Sequence, residues 1–166
     1  MKGNLQQALD NTEQTYAQLV VIANEITNEH TREINADIRD AVDNINNLTN
    51  DSIRQLIINL ALKSYSFSEI KEKSVLKAEC AEALRKEAYA VEYNKAEGAV
   101  ALRDNLATIN ISDEILTEAI YNLVCSLFKT KLDEIHRVID ALKTVLMSRM
   151  AEAKLSSGIT SSLVGE

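Results

Sequence analysis

DEILTEAIYNLVCSLFKTKLDEIHRVIDALKTVLMSRMAEAKL, residues 113–155, holds neither glycine nor proline and returns to an apolar side chain at nearly every third or fourth position. Leu116, Ile120, Leu123, Leu127, Ile135, Val138, Leu142 and Val145 share one helical stripe, and Ile139 and Leu146 widen it. The only gap is Lys131, whose aliphatic stem can lie along apolar surface while its ammonium stays in water. Asp113 and Glu114 complement the positive end of such a helix. The spacing predicts one long amphipathic helix over 113–155.

The same period governs the beginning of the chain. Leu5, Leu9, Thr12, Tyr16, Leu19, Ala23 and Ile26 are spaced alternately four and three, a heptad seam. The stripe continues through His30, Ile34, Ile38, Ala41, Ile45 and Leu48, and its 3-4-4 step from Ala23 to Ile34 is an eleven-residue stutter that locally unwinds a supercoil. An unbroken helix over 4–48 would be roughly 67 Å long at the usual rise per residue. A break near Asn28 to Thr31 is the alternative, because Asn28, His30 and Thr31 are mediocre helix formers.

Between these two helices, residues 46–51 (NNLTND) collect side chains that compete for backbone hydrogen bonds, so they should end the first helix and cap the second. Ile53, Leu56, Ile57, Leu60 and Ala61 then give a short apolar face over 51–65. Ser66 and Glu69 have capping-box spacing, which predicts a new helix over 67–107. That helix is rich in alanine, and Gly98 inside it is tolerable or marks the close crossing of another backbone. Residues 108–112 (TINIS) read as a turn, and 156–166, rich in serine and glycine, as a flexible tail. The expected fold is therefore all-α: one domain over 1–155, an elongated antiparallel bundle or coiled-coil hairpin of three long helices and one short.

Composition excludes several classes. In 166 residues there is no proline and only four glycines, too little punctuation for a β-rich fold. The longest apolar run, Leu19 to Ala23, is five residues, far short of the ~20 a membrane span requires. The first residues lack the pattern of a secretory signal, so a reducing cytoplasm is expected. Cys80 and Cys125 belong to no CxxC or Cys/His cluster and read as small buried hydrophobes. Asn47, Asn50 and Asn110 match the glycan acceptor pattern but read as helix-boundary residues. The net charge of −7 disfavours duplex binding by the whole surface and suits a basic partner.

Candidate sites are few. Neither His30 nor His136 follows a glutamate at the spacing a di-iron bundle needs, and Asp133, His136 and Asp140, on one helical face, read as solvated contacts rather than metal ligands. No Gly-rich phosphate loop or nucleophile elbow is present, so neither catalytic residue nor cofactor is expected. Arg85, Lys86, Tyr89 and Tyr93 form a stripe that could stack single-stranded bases, although interleaved Glu82, Glu87, Glu92 and Glu97 suit ordinary ion pairs. Glu25, Glu29, Glu33, Asp37 and Asp40 line the acidic first helix and could imitate a phosphate ladder toward a DNA-binding protein. Helices this long rarely bury their whole stripe in one short chain, so a homo-oligomer is expected, with Leu116, Leu123, Leu127, Ile135, Val138 and Leu142 as its seam.

From residue 76 to 154 the order of features includes AYAVEYNKAEG (88–98), Arg103, a polar break and a helix ending LKTVLMSRM (142–150). This half of the chain resembles small helical proteins encoded in bacteriophage genomes, often near replication and recombination genes. The resemblance implies a phage origin, a host-cytoplasm setting and an accessory role beside single-stranded DNA or recombination proteins. It brings no catalytic residue with it. The expected function is a non-catalytic, self-associating interaction protein in DNA replication or recombination. The alternatives are an acidic inhibitor of a host nuclease or defence complex, or a direct single-stranded DNA binder.

Overall fold

The computed structural model describes residues 2–163, with the side chains of 10–155. It is an all-α bundle of four helices: α1 (Lys2–Asn44), α2 (Asn50–Lys95), α3 (Val100–Asn110) and α4 (Ser112–Leu163). No strand occurs among the described residues. The turn after α1 ends on Thr49, whose hydroxyl accepts the Ser52 amide at 3.1 Å and so caps the first turn of α2. Asn47 lies in that turn, Asn50 opens α2 and Asn110 closes α3, so all three asparagines of the glycan pattern sit at helix boundaries.

The short helix is α3, not the expected 51–65. The Ser66–Glu69 spacing is not used as a capping box: Ser66 Oγ turns back to the Leu62 carbonyl at 3.4 Å, and Glu69 pairs with Lys73 at 2.7 Å. A heptad frame carries α2 straight through. Ile53, Leu60, Phe67, Ser74 and Ala81 recur at every seventh position and are all buried, Phe67 to 1% exposure. Ending the helix at 65 would have broken that row at its largest member.

The break falls instead at Gly98, where φ is +109°, a conformation that L side chains rarely adopt. Gly98 is thus a turn residue between α2 and α3 rather than a tolerated interior glycine or a crossing point. Arg103 closes the turn, its Nε and Nη2 donating to the Tyr93 carbonyl at 3.1 and 2.9 Å. The expected turn over 108–112 shrinks to Ile111, which is 2% exposed and whose amide reaches the Ala107 carbonyl at 3.2 Å. The backbone of 156–163, read as a flexible tail, continues α4 to Leu163; residues 164–166 lie outside the described residues.

α1 is unbroken across Asn28 to Thr31. Ala23 and Ile34 both lie on its buried stripe, but the step between them runs 4-4-3 through Thr27 and Thr31, at 6% and 1% exposure. His30 is exposed and Ile26 half-buried, a correction to the expected 3-4-4 path. Thr27 can occupy the stripe because its hydroxyl returns to the Ala23 carbonyl at 2.6 Å. The side chains of Leu5 and Leu9 lie outside the described residues.

Contacts gather into two compact units, Met1–His30 with Glu69–Thr130 and Thr31–Ser68 with Lys131–Glu166. The second has a core of large side chains: Ile34, Ile38, Ile53, Leu60, Phe67, Ile135, Ile139 and Leu142 are all buried. The first buries mostly small ones: Ala23, Thr27, Ser74, Ala78, Ala81 and Ala107, joined by Ile111, Val124 and Phe128.

Candidate functional site

Each residue of the expected base-stacking stripe is engaged within the first unit. Arg85 is salt-bridged to Glu118 of α4, and Lys86 to Glu82 at 2.5 Å. Tyr89 donates its phenol to Asp104 of α3 at 2.5 Å, a bond to a carboxylate that raises the phenol above its ordinary pKa. Tyr89 and Tyr93 stack at 5.9 Å between ring centroids, and the Arg103 guanidinium lies 4.2 Å over the Tyr93 ring. Of the side chains read as a nucleic-acid platform, Tyr89 and Tyr93 thus bind α3 to α2, Arg85 binds α4, and Lys86 is paired within α2. The missed signal was the pair Arg103 and Asp104, which supplies partners for both tyrosines once Gly98 turns the chain back.

α3 packs inside out. It buries Ala107 and half-buries Arg103, while Val100, Leu102, Leu106 and Ile109 are 69%, 51%, 39% and 68% exposed. Leu102, Leu106 and Ile109 stand at i, i+4 and i+7, one apolar stripe facing solvent.

Beside α3 runs a shallow groove of about 500 Å³, lined by Leu84, Glu87, Ala88, Val91 and Glu92 of α2 with Asn110, Ile111 and Glu114. A smaller hollow of about 210 Å³ extends it, sharing Leu84 and Glu114 and adding Ala81, Asp113 and Thr117. The floor is apolar, the rim carries four carboxylates, and no lysine or arginine is among the lining residues. Hydrogen bonds from Lys95 at 2.6 Å and Asn110 at 2.9 Å hold Glu92 below the ordinary carboxylate pKa. Glu87, Asp113 and Glu114 make no ion pair among the described residues.

The acidic residues of α1 are less uniform than their spacing implies. Glu25, Glu29, Glu33 and Asp40 are exposed, whereas Asp37 is half-buried and paired with Lys63 at 2.7 Å, with Glu33 at 3.9 Å from the same ammonium. Of the expected oligomer seam, Ile135 and Leu142 are consumed by the second unit's own core at 0% and 1% exposure, a correction. Leu123, Leu127 and Val138 are half-buried and Leu116 is exposed. The buried residues of that part of α4 are Val124 and Phe128, one position further on. Cys80, expected to be buried, is exposed; Cys125 is half-buried, and burial pushes its thiol up.

Ser64 and His136 meet in the second unit, with Oγ and Nε2 3.0 Å apart beside a hollow also lined by Ala61, Ile139, Asp140 and Lys143. The distance suits a nucleophile and its base. The surroundings do not, because Asp140 is paired with Lys143 at 3.2 Å. Both residues also lie inside helices whose amides are already bonded, leaving no amide pair for an oxyanion. The bond instead satisfies the hydroxyl of Ser64, which is 7% exposed. No group of three or more potential metal ligands occurs among the described residues, and no helix there is long and apolar enough to cross a membrane. No protein-family model, curated protein or solved structure matches the chain.

Proposed function

We propose that this chain is a non-catalytic, self-associating helical interaction protein that works by protein contact. The observation that carries the reading is the uncovered stripe Leu102, Leu106 and Ile109 on α3, which folding of the chain leaves in water. Apolar side chains aligned on one helix and left exposed mark a surface that another chain covers. A second copy is the occupant that fits this stripe. The two charged residues of α3, Arg103 and Asp104, are held by Tyr93 and Tyr89, so nothing charged opposes the stripe's pairing with itself.

The phage-type resemblance of residues 76–154 supports a setting in the host cytoplasm and an accessory part in DNA replication or recombination, with a DNA-processing or defence protein as partner. An acidic inhibitor is the second reading, favoured by Glu25 and Glu29, which are exposed and make no ion pair among the described residues. Direct single-strand binding draws less support, because Arg85, Lys86, Tyr89 and Tyr93 already have partners in the chain.

Sedimentation equilibrium of the full chain over a range of concentrations tests self-association. The wild type is expected to sediment above monomer mass, and Leu102→Asp with Leu106→Asp to return it to monomer with its helical circular dichroism intact. A wild type that is monomeric throughout, or a double variant of unchanged mass, overturns the reading. Competition between the chain and duplex DNA for a basic protein, weakened by Glu25→Gln with Glu29→Gln, would favour the inhibitor instead.

A further inference from the structure

We infer that the groove between α2 and the α3–α4 junction is a docking site for a basic amphipathic helix of a partner protein. The inference rests on the proposal that the chain acts by protein contact, and it names the surface and the chemistry of what the surface takes. The apolar floor is made by Leu84, Ala88 and Val91, at i, i+4 and i+7 on α2, with Ile111 at its base. Leu84 and Val91 are 61% and 45% exposed, so this floor is open to an incoming side chain. Seven residues of helix measure about 10 Å, the length over which a docking helix places two or three anchors on one face.

Charge selects the occupant. Glu87, Glu92, Asp113 and Glu114 border the floor, and only Glu92 has a cation at hand, Lys95. A helix with an apolar stripe flanked by lysine or arginine would bury its stripe on the floor and bring each flank to a carboxylate. A second copy would not fit, since two such grooves facing each other set carboxylates against carboxylates. Nucleic acid is repelled for the same reason. The groove and the uncharged α3 stripe therefore divide the work: the stripe takes another copy of the chain, and the groove takes a cationic partner.

The test is selection of binders from a displayed library of helix-patterned peptides about 15 residues long, long enough to hold some helix in isolation, with the full chain as target. The enriched sequences are expected to carry apolar residues at i, i+4 and i+7 with lysine or arginine beside them. A synthesised winner should bind Leu84→Gln with Val91→Gln at least about tenfold more weakly than wild type, the effect of losing a central anchor. Glu87→Lys with Glu114→Lys should weaken it comparably at low salt and less at high salt. Leu84, Glu87 and Val91 are exposed and Glu114 is half-buried with no ion pair to lose among the described residues, so circular dichroism should show all variants folded. Enrichment of acidic or neutral peptides, winners indifferent to both double variants, or no enrichment at all overturns the inference. Sedimentation of the same variants separates this outcome from the previous one. They should associate as the wild type does, and a change in their mass would assign the groove to self-association and end the partner proposal. A monomeric wild type that still selects basic helices through this groove would instead remove self-association and leave the groove standing.

Discussion

The two units bury different things and hold together differently. The second hides large side chains, among them Ile53, Leu60, Phe67, Ile135 and Leu142, and leaves seven large apolar residues exposed among those described. The first hides mostly alanine, serine and threonine, with Ile111, Val124 and Phe128 as its larger members, and leaves twelve exposed. It ties its helices with Arg85–Glu118, Tyr89–Asp104, Glu92–Asn110 and the Arg103–Tyr93 clamp. Small buried side chains let backbones approach closely but displace little water, so apolar area remains for a partner. The second unit spends its apolar surface on stability; the first keeps much of it for contact.

Deleting bulk should therefore hurt the second unit most. Phe67→Ala empties the middle of the α2 row at a site 1% exposed and is expected to cost about 3–5 kcal/mol, read as a fall in the urea midpoint. The first unit should fail in the opposite direction. Ala107, at 0% exposure, is the one buried residue of α3, and Ala107→Leu should cost about 1–3 kcal/mol by overpacking. Hydrogen exchange should then localise the loosening to α3. Equal tolerance of both substitutions would mean that the cores do not differ in the way their composition implies.

Each unit also has an arginine on the carbonyl end of a helix, and these sharpen the comparison. Arg149 donates to the carbonyls of Ile45, Asn46 and Leu48 after α1, at 2.8, 3.4 and 2.5 Å. Arg103 donates twice to Tyr93 and covers its ring. Arg149→Ala and Arg103→Ala should each cost about 1–3 kcal/mol, the scale of hydrogen bonds to a charged donor. Arg103→Lys should rescue little, because a lysine cannot present two parallel donors and a stacking plane together. Gly98→Ala, at φ +109°, should cost about 1–2 kcal/mol in the same unfolding assay, from backbone strain together with a new Cβ only 3.1 Å from Leu102 Cδ2.

The part of the fold that was legible in the sequence is the part governed by large apolar period. Ile135 and Leu142 stand where the stripe places them, whereas between them Ile139, read only as widening the stripe, is buried and Val138 is half-buried. The phase slips nearer the start of α4, where Leu123 and Leu127 compete with Val124 and Phe128 and both pairs have helical spacing. Only the neighbouring helix decides between them, and periodicity within one helix carries no record of it. Thr27, Ser64 and Ser74 join buried stripes because their hydroxyls find partners, two of them returning to carbonyls one turn back, a bond invisible to a hydrophobic pattern. Ser66 and Glu69 misled for the converse reason, since their capping spacing is equally that of an uninterrupted helix surface. The tyrosine stripe was found as a feature but not as a structural clamp, because its partners Arg103 and Asp104 lie beyond a turn that Gly98 alone announces.

The smallest expected effect is electrostatic. Hydrogen bonds from Lys95 and Asn110 lower the Glu92 pKa, and a hydrogen bond from the paired lysine does the same for Glu69 and Glu82. All three carboxylates lie in the first unit. A carboxyl that is more acidic folded than unfolded adds stability above its unfolded pKa, and that contribution fades as pH falls through the folded value. Glu69 is exposed and Glu82 and Glu92 are half-buried, so solvent still reaches and screens all three and each shift is a small effect. The wild type should thus exceed Glu92→Gln in thermal midpoint near neutrality by a margin that shrinks on acidification below the usual glutamate range and in high salt. Because Glu92 bridges α2 to Asn110 at the end of α3, hydrogen exchange of α3 should respond to the same acidification before Phe67 and its neighbours do. A margin that is flat in pH would show that the clamp between α2 and α3 rests on Arg103 and Tyr89 alone.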